Sequence, residues 1–559
     1  MANRGGEGAA LTLPQALQHA AAALQRGDAA EAERACRRIL EVRPESFDAL
    51  YLMGIAAGQG RSPAEAAEWF ARAAALQPRN ADVQFNLGVA LGESGRGAEA
   101  LEAYERTVAL DPGRADAHYN RGVALEALGR SAEALAAYER AVAIAPAHAE
   151  AHNNRGVVLT RLGRSKEALE AFDRAVAARP RHAATHVHRA IALLDLDRAP
   201  EALESAERAI ALAPGHAHAW YIRGNALREL YRHADAAGSF ERAIAIEPAH
   251  AAAHANLADC RLVLGDFARG WEEYQWRLAL PARGRRDFAE PLWTGTGEIA
   301  GRTILLHAEL GLGDALQFCR YANEVARLGA RVLLQVPAAL VPLLATLEGV
   351  ESVHATGDAL PAFDLQCPLM SLPLALRSRL EGVPAQVPYL KSDPARVARW
   401  RERLGEKRVP RVGLVWRGSQ GLANDKRSMA LAELLPVLRP GIEWVSLQKD
   451  VPEAEAAALA ASALRDVSDG LADFAETAAV VELLDLLVSV DTSVVHVAGA
   501  LARPVWILLP HNPHDWRWLL EREDSLWYPT ARLLRQPRPG DWASVVRRAG
   551  DELATRFHV

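Results

Sequence analysis

Two regimes of hydrophobic patterning divide the chain. From Leu13 to Arg283 the apolar positions define helical hairpins that are amphipathic on both arms, punctuated every 34 residues. Prolines stand at Pro44, Pro78, Pro112, Pro146, Pro180, Pro214 and Pro248; small residues at Gly54, Gly88, Gly122, Gly156, Ala190, Gly224 and Ala258; and, twelve positions after each of these, Ala66, Ala100, Ala134, Ala168, Ala202, Ala236 and Gly270. A proline cannot continue a helix and closes each hairpin, while the small residues let paired helices approach. From Thr303 the period changes. Short apolar runs at 303–307, 331–336, 350–355 and 363–367 alternate with helical stretches, and a second series follows at 411–416, 443–447, 486–490 and 505–509. Strands alternating with helices predict parallel sheets covered on both faces. The expected architecture is an N-terminal all-α solenoid (13–283), an irregular connector (284–302), and an α/β region of two Rossmann-like lobes (303–390 and 409–559). The proline-bearing stretch 380–408 reads as a linker, and the closing helix 542–557 as an element crossing back between the lobes.

The registered columns are those of the tetratricopeptide repeat, and the first half resembles that family over about eight hairpins. No hairpin buries its apolar faces alone, so stacking predicts a continuous core and a concave groove. The last hairpin, 251–280, loses the pattern and carries Trp271, Tyr274 and Trp276, as a junction with a different surface requires. Asn86, Asn120, Asn154 and Asn256 share one position, two before the small residue. On the groove face such a ladder bonds the backbone of an extended peptide; otherwise each asparagine bonds a neighbouring repeat. The ladder resembles that of the O-GlcNAc transferase solenoid, which implies an acceptor polypeptide. A second column, His118, His152, His186 and His254, reads as inter-helix packing, being too widely spread for one metal ion.

Composition narrows the function classes. The 64 basic and 70 acidic residues give a formal charge of -6, with no clustered basic footprint for nucleic acid. Cys36, Cys260, Cys319 and Cys367 form no C-x-x-C pair, which fits a reducing compartment. No secretory signal pattern and no membrane-length apolar run is present, so a cytoplasmic protein without membrane insertion is expected.

Four strand-end segments carry candidate chemistry. After the first strand comes Glu309-Leu-Gly311-Leu-Gly313-Asp314, where the glycines allow close backbone approach and Asp314 either caps the following helix or removes a proton from an acceptor hydroxyl. After the strand at 411–416 a polar loop holds Arg417, Lys426 and Arg427, cations suited to pyrophosphate or to a solvated surface. Asp491-Thr492-Ser493-Val-Val-His496 runs from a strand into a helix whose first amides and hydroxyls suit phosphate oxygens. Structural alternatives are a helix cap for Asp491 and core packing for His496. The fourth, 510–518, offers His511, His514, Trp516 and Trp518 for stacking or for packing beneath the loop.

Together, Gly313-Asp314 and Asp491-Thr492-Ser493-Val-Val-His496-Val-Ala-Gly499-Ala500-Leu501 resemble the heptosyltransferase-like family of GT-B glycosyltransferases over roughly 303–553. That resemblance implies a GT-B fold, Asp314 as catalytic base, Lys426 near the donor phosphates, and Asp491, Thr492, Ser493 and His496 around the donor. Ser493 stands where the family has glycine. The implied co-substrate is a nucleotide sugar, with no metal or other cofactor. The architecture is similar to O-GlcNAc transferase and to repeat-containing bacterial transferases that glycosylate flagellin. It implies transfer to a polypeptide hydroxyl, with a flagellin-like acceptor in the groove and Asp314 or His496 taking the proton. The competing expectations are a protein-interaction scaffold with an inactive α/β domain, and a transferase for glycan or lipid-linked acceptors.

Overall fold

The computed structural model describes residues 12–280, 288–418, 426–511 and 515–559. The chain divides into two compact units, 1–226 and 227–559.

The first unit is a stack of helical hairpins running from the helix Leu13–Gln25 into the helix Ala217–Glu229. Its repeat columns each have a physical job. The small residue accepts an aromatic ring sixteen positions later. A methyl group built on Gly54, Gly88, Gly122 or Gly156 would lie 2.6, 2.7, 2.5 or 2.5 Å from the ring of Phe70, Tyr104, Tyr138 or Phe172. Where the small residue becomes Ala190, the partner shrinks to the buried Ala206. Arginines at 121, 155, 189 and 223 reach acids of the preceding hairpin, Glu105, Glu139, Asp173 and Glu207, at 3.7, 3.8, 2.7 and 3.1 Å.

The histidine column makes a hydrogen bond rather than only packing. The Nε2–H of His118, His152 and His186 donates to the carbonyl of the proline six residues earlier, Pro112, Pro146 and Pro180, at 3.1, 2.9 and 2.9 Å. Trp220 donates its indole N–H to Pro214 at 3.0 Å from the same position, and His254 of the second unit repeats the bond to Pro248 at 3.0 Å. Any residue with an N–H at that reach satisfies a carbonyl left free beyond the helix end.

In the second unit, parallel strands form two sheets. The first contains β1 (Thr303–His307), β2 (Arg331–Val336), β3 (Val350–Ala355) and β4 (Leu365–Pro368), in spatial order β3-β2-β1-β4. The second contains β5 (Arg411–Val415), β6 (Glu443–Ser446), β7 (Leu464–Asp466), β8 (Leu486–Val490), β9 (Val505–Leu509) and β10 (Ala531–Arg535), in order β10-β9-β8-β5-β6-β7. Counted within its own lobe, the second order is 3-2-1-4-5-6, the doubly wound order whose ligand crevice opens where the strand order reverses. Strands β1, β5, β8 and β9 are buried at every position. β7 and β10 were not expected: the first is three residues long, and the second sets Leu533 and Leu534 between arginines.

Three expectations change. The stretch 380–408 is not wholly linker: Pro394–Leu404 is a helix, with Asp393 capping the N–H groups of Ala395 and Arg396. Pro394 sits in the first helical turn, where its missing N–H costs nothing. The helix Trp542–Phe557 does not cross between lobes; it buries Trp542, Val545, Val546, Ala549 and Leu553 against β5, β8 and β9 residues of its own lobe. The stretch after Gly313 is two short helices, Leu312–Phe318 and Tyr321–Arg327. The last hairpin, Ala251–Val263 and Phe267–Tyr274, merges with the α/β core through Phe267, Trp271 and Tyr274. Just beyond it Arg277, 1 % exposed, binds Glu309 Oε1 at 2.5 Å, Ser371 Oγ at 2.9 Å and the Tyr274 carbonyl at 3.0 Å.

The glycine column yields a paired test. Tyr138 cannot swing aside, because its hydroxyl donates to Glu126 Oε2 at 2.6 Å. Gly122→Ala is expected to destabilise the solenoid by about 1–3 kcal/mol. Gly58→Ala, which meets nothing within 4 Å in a neighbouring repeat, is expected to stabilise by up to about 1 kcal/mol. Urea midpoints followed by helical circular dichroism check both.

Candidate functional site

The carboxyl ends of β1, β5, β6 and β8 converge on one cleft of about 770 Å³ within the second unit. Nine residues named from sequence line it: Gly311, Gly313 and Asp314 from the first lobe, with Arg417, Arg427, Asp491, Thr492, Ser493 and His496 from the second. Gln448, Asp473, Asp515 and Arg517 join them.

The lobes meet where the helix Leu312–Phe318 packs on the helix Ser493–Ala500. Gly313 is what permits this. A methyl there would sit 2.8 Å from His496 Cδ2 and 3.2 Å from Nε2, so this glycine is required by the histidine ring opposite it. His496 is 4 % exposed, stacks on Trp518 with centroids 5.8 Å apart, and pairs its Nδ1 with the Tyr528 hydroxyl at 2.8 Å. Burial, reinforced by Arg517 and Arg320, holds its titration well below the ordinary histidine range, so the ring is neutral near pH 7.

Asp314 caps its own helix, accepting the Gly311 N–H at Oδ2 over 2.8 Å. Its Oδ1 accepts from Arg517 Nη2. Asp314 thus caps its helix, as one reading expected, and its carboxylate also stands at the cleft wall.

At the end of β8, Asp491 is 5 % exposed. Burial and the neighbouring Asp515 push its carboxyl upward, against the pull of Arg427, the Trp518 indole and Arg517. Thr492 stands at the N-terminus of the helix Ser493–Ala500 without capping it; its hydroxyl pairs with Ser489 Oγ at 3.1 Å. The first-turn amides of this helix thus face the cleft without a side-chain cap.

Behind the β5 loop, Gln448 Oε1 accepts the N–H groups of Trp416 and Arg417 at 3.1 and 2.9 Å, and Arg417 Nη2 binds Glu455 Oε1 at 3.1 Å. Lys426 is not part of the cleft wall: its ammonium pairs with Glu229 Oε2 at 3.1 Å. The rest of that loop, 419–425, lies outside the described residues, as do residues 512–514 with His514. His511 turns to the β10 side, its N–H donating to Gln536 Oε1 at 3.2 Å, with Tyr231 edge-on at 5.2 Å. Trp516 and Trp518 are buried packing residues.

Asn86 and Asn154 follow the internal alternative for the asparagine ladder. Asn86 Nδ2 donates to Tyr51 Oη at 2.7 Å, and Asn154 Nδ2 lies 3.5 Å from Tyr119 Oη, each 35 residues back. His188 repeats the register on Asn153 Oδ1 at 3.0 Å. At Asn120 the equivalent partner is Phe85, which has no hydroxyl. Asn120 and Asn256 are half-buried.

Arg517 and Asp515 were missed from sequence because the segment reads as aromatic. The only signal was an ion-pair spacing, Asp-Trp-Arg, set between tryptophans. Among the described residues no group of three His, Cys, Asp or Glu side chains is arranged to hold one metal ion, and no helix is long and apolar enough to cross a membrane.

The repeat region matches a known family. The tetratricopeptide repeat model matches residues 17–81, 85–149, 127–183, 188–249 and 232–275, so the N-terminal part is a tetratricopeptide-repeat solenoid. Protein FlbA of Caulobacter vibrioides is 29% identical over 322 residues, covering 52% of this chain and 53% of that protein. The chain therefore spans about half the length of the curated relative it matches. Among solved structures, YrrB, described as a TPR protein with an unusual peptide-binding site, is 26% identical, covering 34% of this chain and 96% of that one, with a TM-score of 0.31. MamA is 26% identical (28% and 93% covered, TM-score 0.28), and pilF of Pseudomonas aeruginosa is 21% identical (38% and 96%, TM-score 0.34).

The two buried groups of the β8 segment titrate in opposite senses. His496 stays neutral in the fold, so below the ordinary unfolded value of about 6.5 the unfolded chain binds the extra proton and stability falls with pH. Asp491, pushed upward, holds its proton more readily in the fold and works the other way. His496→Gln is expected to remove the first contribution only. Between pH 7 and 5 the denaturation midpoint of the second unit should therefore fall less, or rise, relative to wild type, as read by tryptophan fluorescence.

Proposed function

We propose that the cleft binds a nucleotide sugar and transfers the sugar to a polypeptide hydroxyl, with the α/β region working as a GT-B glycosyltransferase and the repeats recruiting the acceptor. The observation that carries this reading is the meeting of nine sequence-predicted residues from two parallel sheets around one cleft.

The chemistry asks little beyond placement and charge. The acceptor oxygen bonds the anomeric carbon as the bond from that carbon to the diphosphate oxygen breaks. The hydroxyl proton passes to Asp314, and the charge on the leaving diphosphate falls to Arg417, Arg427 and the first amides of the helix Ser493–Ala500. His496, its basicity lowered by burial and its ring packed between Gly313 and Trp518, serves better as a wall of the site than as the base. A covalently attached solenoid that holds the acceptor raises its effective concentration at the cleft, and the half-buried Asn120, with no hydroxyl partner in the Tyr51 position, supports peptide contact in the middle of the ladder.

Calorimetric titration with UDP, GDP, ADP, TDP and CMP is expected to show one nucleotide binding, with binding lost in Asp491→Ala. No binding by any of them, with or without an acceptor protein, would favour a scaffold instead. In transfer assays Asp314→Ala is expected to abolish transfer while leaving partner binding intact. Asn120→Ala should spare donor hydrolysis and weaken transfer to protein. Full transfer by Asp314→Ala would remove it as the base.

A further inference from the structure

We propose that Arg517 is a positioning residue, supplied by the second lobe to hold the Asp314 carboxylate of the first lobe in its proton-accepting orientation; this rests on the transferase reading above. Arg517 is 5 % exposed, with its guanidinium 4.5 Å from the Trp516 ring centre and 5.4 Å from that of Phe318. Each arm of the fork is committed. Nη1 binds Asp515 Oδ1 and Oδ2 at 3.0 and 2.7 Å, Nε donates to Gln317 Oε1, and Nη2 donates to Asp314 Oδ1 with Met370 Sδ at 3.9 Å. Asp515 lies two residues before Arg517 on the same segment, so it fixes the fork from behind. The remaining edge then meets Asp314 and Gln317, one and four residues beyond Gly313 on the opposing helix.

Asp314 is thereby held at both oxygens, Oδ1 by Arg517 and Oδ2 by the Gly311 amide. Each oxygen keeps a lone pair for an acceptor hydroxyl. Both side-chain torsions are set before substrate arrives, which is the geometry a base needs to act without reorganisation. A lysine at 517 has one ammonium and no planar fork, so it cannot satisfy Asp515, Gln317 and Asp314 together.

The test uses the full chain carrying Arg517→Ala or Arg517→Lys, beside Asp314→Ala. Transfer is measured with the donor of the nucleotide found by calorimetry, and nucleotide affinity is measured on the same samples. Arg517→Ala is expected to lower kcat about a hundredfold, to keep nucleotide Kd within about twofold of wild type, and to regain part of its rate with low-millimolar guanidinium. Should Arg517→Ala fail to fold, Arg517→Lys, which keeps the charge, is expected to show the same split between kcat and Kd. A Kd that weakens in step with kcat would make Arg517 a donor ligand and overturn the proposal. Normal kcat in the Arg517 variants, with Asp314→Ala inactive, would overturn it while leaving the transferase reading standing. A wild-type chain that turns over no nucleotide sugar would overturn both.

Discussion

With no side chain at Gly313, the helix after β1 comes down onto the ring of His496, and the rest of the cleft depends on that approach. The contact sets the distance between two parallel sheets, because each helix follows directly from a central strand of its own sheet. It brings Asp314 within reach of Arg517, and it lets the Tyr389 N–H reach the Ala500 carbonyl at 3.0 Å. Arg320, buried on the same side, donates to the carbonyls of Pro384 and Trp527 at 2.7 and 2.9 Å. A cation with carbonyl partners on both sides of the seam costs much less than an unpaired one. The seam is therefore made of directional bonds around one steric allowance.

The same logic governs the solenoid on a smaller scale. In four repeats a glycine leaves one backbone position without a side chain, so that a ring from the partner helix can pack against it. Gly122 with Tyr138 and Ala190 with Ala206 show that the two positions change together: a methyl stands at the small position only where the facing ring is gone. The arginine and histidine columns then tie neighbouring arms through polar bonds that recur at the repeat period. The last hairpin departs from this pattern because its outer face is covered by Phe318, Trp516 and Trp527 instead of another hairpin.

Much of this was legible in the sequence where a pattern repeats or a strand is buried on both faces. The 34-residue columns marked the hairpins, and apolar runs marked β1, β2, β8 and β9 to the residue. Short or charged strands escaped: Leu464-Arg-Asp466 offers one apolar residue, and the Arg532 and Arg535 side chains mask β10. The positions of Asp314, Asp491 and His496 on the cleft wall were readable because they stand at strand-to-helix turns. Arg517 was not, since its role comes from partners some 200 positions away in sequence, and no local spacing records such a pairing. Lys426 lies outside the cleft wall for a related reason: its charge and loop suit a phosphate, but its ammonium pairs with Glu229, an acid remote in sequence.

Hydrogen–deuterium exchange of the full chain, with and without each of the five nucleotides, tests the central claim most directly, that one cleft between the two sheets is a nucleotide site. The account predicts that one nucleotide slows exchange in two segments distant in sequence, 311–318 and 491–500, and leaves the repeats at 81–178 unchanged. Protection confined to the repeats, or none with any nucleotide, would contradict it.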